Sequence, residues 1–162
     1  MTKATGPLYV THFRRRRDGK TDYAKRLALL KSGKPRLVVR KSNKFILVQI
    51  VDFSFEGDKT IASASSRELK KFAFAGKANA ASAFLAGLLA GKRALAKGVK
   101  EVVLDIGLHP PSKGAVVFAA QLGAAEAGLK SPFSQDKMPS EEKLKGKDAM
   151  AFEEAKKKLL NG

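Results

Sequence analysis

Residues 35–64, PRLVVRKSNKFILVQIVDFSFEGDKTIASA, decide the fold. Leu37, Val38 and Val39 form the apolar centre of a first strand beginning at Pro35, and Ser42-Asn43 supplies a tight turn after it. Residues 45–53 are apolar at nearly every position, which predicts a second strand covered on both faces. Glu56-Gly57-Asp58 makes another turn, and a third strand follows over 59–64. Three strands joined by short turns predict an antiparallel meander.

On the C-terminal side, Asn79 is placed to cap a helix over 80–97 that ends at Gly98, with Phe84, Leu85, Leu88, Leu89 and Leu95 on one broad side. Gly87 and Gly91 lie four apart, which permits close approach of this helix to the sheet. Residues 101–106 read as a fourth strand, and Ser112 is expected to cap a helix over 113–127 ahead of Gly128. Strand, helix, strand, helix implies a parallel addition to the sheet through a right-handed crossover. The expected body is α/β, a mixed β-sheet covered by helices on both faces. A last helix over 148–160 puts Ala149, Phe152, Ala155 and Leu159 on one side. On the N-terminal side, Asp22 caps a short helix over 23–31, with Tyr23, Leu27 and Leu30 as its stripe and Gly33 as its stop. Residues 1–18 show no apolar period and read as an arm that orders on binding. The divisions are thus 1–32, a basic N-terminal arm with a short helix; 33–130, the α/β core; and 131–162, a C-terminal helical extension.

Charge carries the functional signal. The chain has 32 Lys and Arg against 15 Asp and Glu, a net +17. Residues 1–44 hold fourteen of the basic side chains and only Asp18 and Asp22 as acids, a net +12, which leaves +5 for the other 118 residues. Packing like charges together costs self-repulsion that a polyanion relieves. The candidate RNA contacts are Arg14, Arg15, Arg16, Arg17, Lys20, Lys25, Arg26, Lys34, Arg36, Arg40, Lys41, Ser42, Asn43 and Lys44. Arginine suits phosphate because its planar fork donates two parallel hydrogen bonds and stays charged. In an extended arm, Arg14 to Arg17 would alternate sides and meet two strands. Arg36 and Arg40 share one side of a strand and are both expected to face RNA. Ser42 and Asn43 either donate to 2′-hydroxyls or base edges or only form the turn. Tyr9, Phe13 and Tyr23 are candidates for stacking on bases, with core packing favoured for Tyr23. Ser65, Ser66 and Arg67 are placed to reach a backbone.

Other classes fit less well. There is no cysteine, so no disulfide framework and no thiolate metal site is possible, and no cofactor motif or P-loop is present. No secretory signal is legible near the start, and the apolar stretch from Ala78 to Gly91 is too short for a bilayer. A metal-dependent nuclease would need clustered carboxylates. Asp52 and Asp105 at strand ends, with Asp58 in a turn, are a thin constellation. His109 is followed by Pro110-Pro111 and reads as part of a rigid turn, and His12 as one more contact of the arm. A general DNA-compacting protein is the remaining alternative.

Four segments carry a family resemblance: RRRRDGKTDYAKRL at 14–27, GKPRLVVRKSNK at 33–44, SSRELKKF at 65–72 and LDIGLHPPSKGAVVFA at 104–119. In these segments, and in their order, the chain resembles the large-subunit ribosomal proteins of the L-eighteen family, at the length of the archaeal form. The tail from Ser131 onward matches less closely. The resemblance implies an RNase-H-like body and a structural, non-enzymatic role in the cytoplasmic ribosome. It also implies binding to 5S rRNA, attachment of that RNA to the large-subunit rRNA, and neighbouring ribosomal proteins in the central protuberance.

Overall fold

The computed structural model describes residues 6–145 and 148–161. Its sheet has four strands, β1 (Arg36–Lys41), β2 (Ile46–Asp52), β3 (Lys59–Ser65) and β4 (Val103–Asp105), in the order β3-β2-β1-β4. The first three are antiparallel neighbours and β4 runs parallel to β1. This mixed α/β arrangement is the one expected for an RNase-H-like body. The meander turns where the sequence places its turns, with a bulge between Ile50 and Val51. A lone parallel bridge, Glu101 to Lys130, extends pairing beyond β4.

Two short helices precede the sheet, α1 (Arg14–Arg17) and α2 (Tyr23–Leu30). Asp22 caps α2 as expected, its carboxylate accepting from the Ala24 and Lys25 N–H groups at 3.1 Å each. Four helices follow β3: α3 (Ala80–Leu95), α4 (Val116–Glu126), α5 (Glu141–Lys145) and α6 (Ala149–Asn161). Asn79 caps α3 through the Ser82 N–H at 2.9 Å. Ser112 does not cap α4. The chain makes a further turn first, Ala115 donating to the Ser112 carbonyl, and α4 starts at Val116 without a side-chain cap.

Alternation along the strands explains the core. Leu37 and Val39 of β1, Ile46, Val48 and Ile50 of β2, and Ala62 and Ala64 of β3 point to one side and are buried under α3 and α4. On the opposite side Val38, Leu47 and Gln49 are only half-buried. The expected cover of helices on both faces is therefore a cover by α3 and α4 on one face. Gly87 and Gly91 also face a different neighbour from the expected one. They meet α4 and not the sheet: a Cβ on Gly87 would lie 2.0 Å from the Ala120 carbonyl oxygen, and one on Gly91 would lie 2.6 Å from the Ala127 Cβ. Gly123 of α4 reciprocates, its absent Cβ falling 2.0 Å from the Phe84 carbonyl oxygen. The two helix backbones thus touch where side chains are missing.

The tail joins this core. Phe152, Ala155 and Leu159 of α6 are buried, and Phe152 packs on Phe84 with ring centroids 5.5 Å apart. Ala149, expected in the same stripe, is exposed. Lys156 pairs with Glu126 at 2.6 Å. Among the described residues, no helix is long and apolar enough to cross a membrane.

Candidate nucleic-acid interface

Arg14 to Arg17 are all exposed, but they are wound into one helical turn rather than extended. Arginine is a good helix former, and the turn is closed by the Arg17 N–H donating to the Phe13 carbonyl and the Asp18 N–H to the Arg14 carbonyl, both at 3.0 Å. Successive side chains then point about 100° apart around the turn and do not alternate between two sides. Phe13, 70% exposed, packs on Tyr23 with centroids 5.0 Å apart, which ties α1 to α2. Tyr23 is half-buried by this contact, outside the main core. Arg15 donates through Nε to the Thr21 hydroxyl at 2.9 Å, and Tyr9 is exposed beside the arm.

Between the arm and the body lies a cleft of about 650 Å³. Arg15, Lys20, Lys25, Arg26 and Arg40 line it together with His109, so cations from α1, the loop after it, α2 and β1 converge on one hollow. Most have a local acid as well. Lys20 lies 3.5 Å from Asp18 and Lys25 3.7 Å from Asp22, both pairs largely solvent-exposed, which contribute little to stability and yield easily to phosphate. Lys34 pairs with Glu101 at 2.6 Å.

Arg36 departs from its expected role. It is 4% exposed, and its guanidinium donates to Asp58 at 2.6 Å and to Asp105 at 2.9 Å, so it supports the interface from within and does not face solvent. Its Nε is buried without an acceptor among the described residues. Arg40 is exposed and keeps its place at the surface, held by Asp105 Oδ1 at 2.9 Å and the Asp105 carbonyl at 2.8 Å. Burial alone would raise the Asp105 pKa. The charge and hydrogen bond of Arg40, the Gly107 N–H and the charge of Arg36 outweigh it and hold the carboxyl below its ordinary value. Asp105 is therefore a carboxylate that fixes two arginines.

The turn after β1 divides its residues by task. Ser42 closes the turn, its hydroxyl donating to the Phe45 carbonyl at 2.8 Å and accepting from the Phe45 N–H at 3.0 Å. Lys41, Asn43 and Lys44 stand exposed around it. Ser65 and Ser66, expected to reach a backbone, are structural instead. Ser65 opens a 3-10 helix over Ser66–Phe72 through a capping box with Glu68, and the buried Ser66 hydroxyl accepts from the Ile46 N–H at 3.1 Å. The spacing Ser65-x-x-Glu68 is the signal in the sequence that marks this helix start. Arg67 lies over the Phe45 ring at 4.0 Å, at the foot of the same turn.

The carboxylates of the nuclease alternative are otherwise engaged. Asp58 and Asp105 bind guanidinium groups, and exposed Asp52 accepts from its neighbour Phe53 N–H at 2.9 Å. Among the described residues no group of three His or acidic side chains is placed to hold a metal ion. His109 sits in the turn following β4, its N–H bonded to the Ile106 carbonyl.

A small α/β body whose exposed cations line an arm, a cleft and a neighbouring turn defines a protein built to bind a polyanion. Comparison with known proteins sharpens the class. Residues 8–101 match the family model described as "Ribosomal large subunit proteins 60S L5, and 50S L18". The chain is 50% identical over 154 residues to the large ribosomal subunit protein uL18 of Aeropyrum pernix, covering 94% of this chain and 72% of that protein. It is 47% identical over 152 residues to the uL18 of Methanoregula boonei, covering 93% and 87%, and 45% identical over 153 residues to that of Methanothermobacter thermautotrophicus, covering 94% and 80%. The chain belongs to the uL18 family of large ribosomal subunit proteins. It is a non-enzymatic structural constituent of the cytoplasmic ribosome.

Proposed function

We propose that this chain binds 5S rRNA and helps attach it to the large-subunit rRNA in the central protuberance, beside neighbouring ribosomal proteins. The observation that carries this reading is the convergence of the arm's cations and the body's on one cleft. Arg14, Arg15, Arg16 and Arg17 grip phosphates from a turn that projects them in several directions, as a folded RNA with more than one nearby strand requires. Lys20, ahead of α2, and Lys25 and Arg26 on it continue the contact, and Lys34 and Arg40 carry it onto the body. Lys41 and Lys44 flank Asn43 at the tip of the turn, where an amide meets a 2′-hydroxyl or a base edge, the group that separates RNA from DNA. Arg36 and Ser42 act from behind, by fixing Arg40's surroundings and the turn. In this reading residues 1–32 are the grip, 33–130 the platform and 131–162 an extension whose last helix braces the platform.

Competition distinguishes this from general polyanion binding. With the protein bound to labelled 5S rRNA at near-physiological salt, unlabelled 5S rRNA should displace it at concentrations about a thousandfold lower than duplex DNA of equal length, the lower end of the range by which specific binding exceeds non-specific. Equal displacement by the two would overturn the assignment.

A further inference from the structure

Five charged side chains from separate parts of the chain form one alternating row: Arg26, Asp58, Arg36, Asp105 and Arg40. The links are Arg26 to Asp58 at 2.9 Å, Asp58 to Arg36 at 2.6 Å, Arg36 to Asp105 at 2.9 Å and Asp105 to Arg40 at 2.9 Å. The middle is dry, with the side chains of Arg36 and Asp105 only 5% and 8% exposed, while Arg26 and Arg40 at the ends reach the cleft. Asp58, from the turn between β2 and β3, is the joint between arm and body. One carboxylate oxygen accepts from both Arg26 of α2 and Arg36 of β1.

That joint matters because α2 has little else to hold it. None of its residues is buried, Leu27 is exposed, and eight residues are too few for a helix to be stable alone. We propose that Asp58 is a positioning residue for RNA binding: it latches α2 onto β1, so that Lys25 and Arg26 of the arm and Arg40 of the body face the cleft together. The proposal rests on the RNA-binding reading above. Its sign sets it apart from simple electrostatics. Removing an anion from a basic surface should by charge alone tighten binding to a polyanion, whereas removing the latch weakens it.

The test uses the full chain, 5S rRNA and three variants, Asp58→Asn, Asp58→Glu and Asp52→Asn. Asp52 is an exposed acid at the end of β2, outside the row, and serves as the charge control. If Asp58→Asn leaves α2 aligned about a tenth of the time and Asp58→Glu about a third, apparent affinity falls about tenfold and about threefold respectively. Asp52→Asn should bind as the wild type does, or more tightly. In the free protein, trypsin should cut after Lys25 and Arg26 sooner in Asp58→Asn than in the wild type. Should Asp58→Asn fail to fold, Asp58→Glu, which keeps the charge, decides alone. An Asp58 variant that binds as tightly as Asp52→Asn overturns the latch. Wild-type protein that ignores 5S rRNA overturns the reading beneath it instead.

Discussion

A chain with Ala at positions 14, 15, 16 and 17 is expected to bind 5S rRNA about a thousandfold more weakly than the wild type at ~0.1 M salt. Each phosphate neutralised by a cation releases counterions and contributes roughly −0.7 to −0.9 to the slope of log affinity against log salt. Four lost contacts flatten that slope by about three, which at ~0.1 M amounts to about three decades relative to 1 M. The loss should come without unfolding, since all four arginines are exposed and none contributes to the core. Equilibrium binding of the two proteins at equal salt, with thermal melting of each as a control, measures it. A loss below tenfold in a protein that melts normally would mean that the arm is not the principal contact.

The second large effect concerns the body. Gly87→Ala should destabilise the fold by about 3 kcal/mol or more, read from urea unfolding. Helix propensity alone gives the opposite sign, because Ala is favoured over Gly in a helix interior by about 0.5–1 kcal/mol. Packing decides the matter. The new Cβ would lie 2.0 Å from the backbone oxygen of Ala120, and backbone cannot swing aside as a flexible side chain can. To admit the methyl, α3 and α4 must separate, loosening the contact that roofs the sheet. Gly123→Ala meets the same obstacle from the other helix, and because both open one contact the two changes should not add. Gly98→Ala is the contrasting case. Nothing lies within 4 Å of its Cβ, but its φ of +82° leaves a penalty of about 1–2 kcal/mol. A Gly87→Ala protein as stable as the wild type would contradict the described helix contact.

Features set by neighbours in the chain were legible in the sequence. Asp22 and Asn79 cap the helices they were expected to cap, because a short polar side chain before an apolar period has a local job. The three-stranded meander appears for the same reason, since its turns and alternation lie within thirty residues. The parallel addition of β4 beside β1 was legible as well, but side-chain partners far apart in the chain were not. Alternation places Arg36 and Arg40 on the same side of β1 but does not reveal that Asp58, 22 residues away from Arg36, and Asp105, 69 away, close over Arg36 and leave Arg40 in the open. The same holds for Gly87 and Gly91, whose spacing announces a close neighbour without saying whether it is a sheet or a helix. Two differences are local. The Ser65-x-x-Glu68 spacing is itself the mark of a helix start, and the helix expected to follow Ser112 directly begins three residues further on. The acidic residues differ most between the two views. As letters, Asp52, Asp58 and Asp105 make only a thin constellation for metal chemistry, and in the fold the charge of Asp58 and Asp105 is spent on aligning arginines.

The claim on which the account turns is that the positive charge of the first 44 residues exists to be neutralised by folded RNA. Titration of wild-type binding to 5S rRNA across a range of salt concentrations tests it most directly. With about ten phosphates engaged, log affinity should fall linearly with log salt at a slope of roughly −7 to −9. A slope shallower than about −3, equivalent to about four contacts or fewer, would contradict it, as would the absence of binding in dilute buffer.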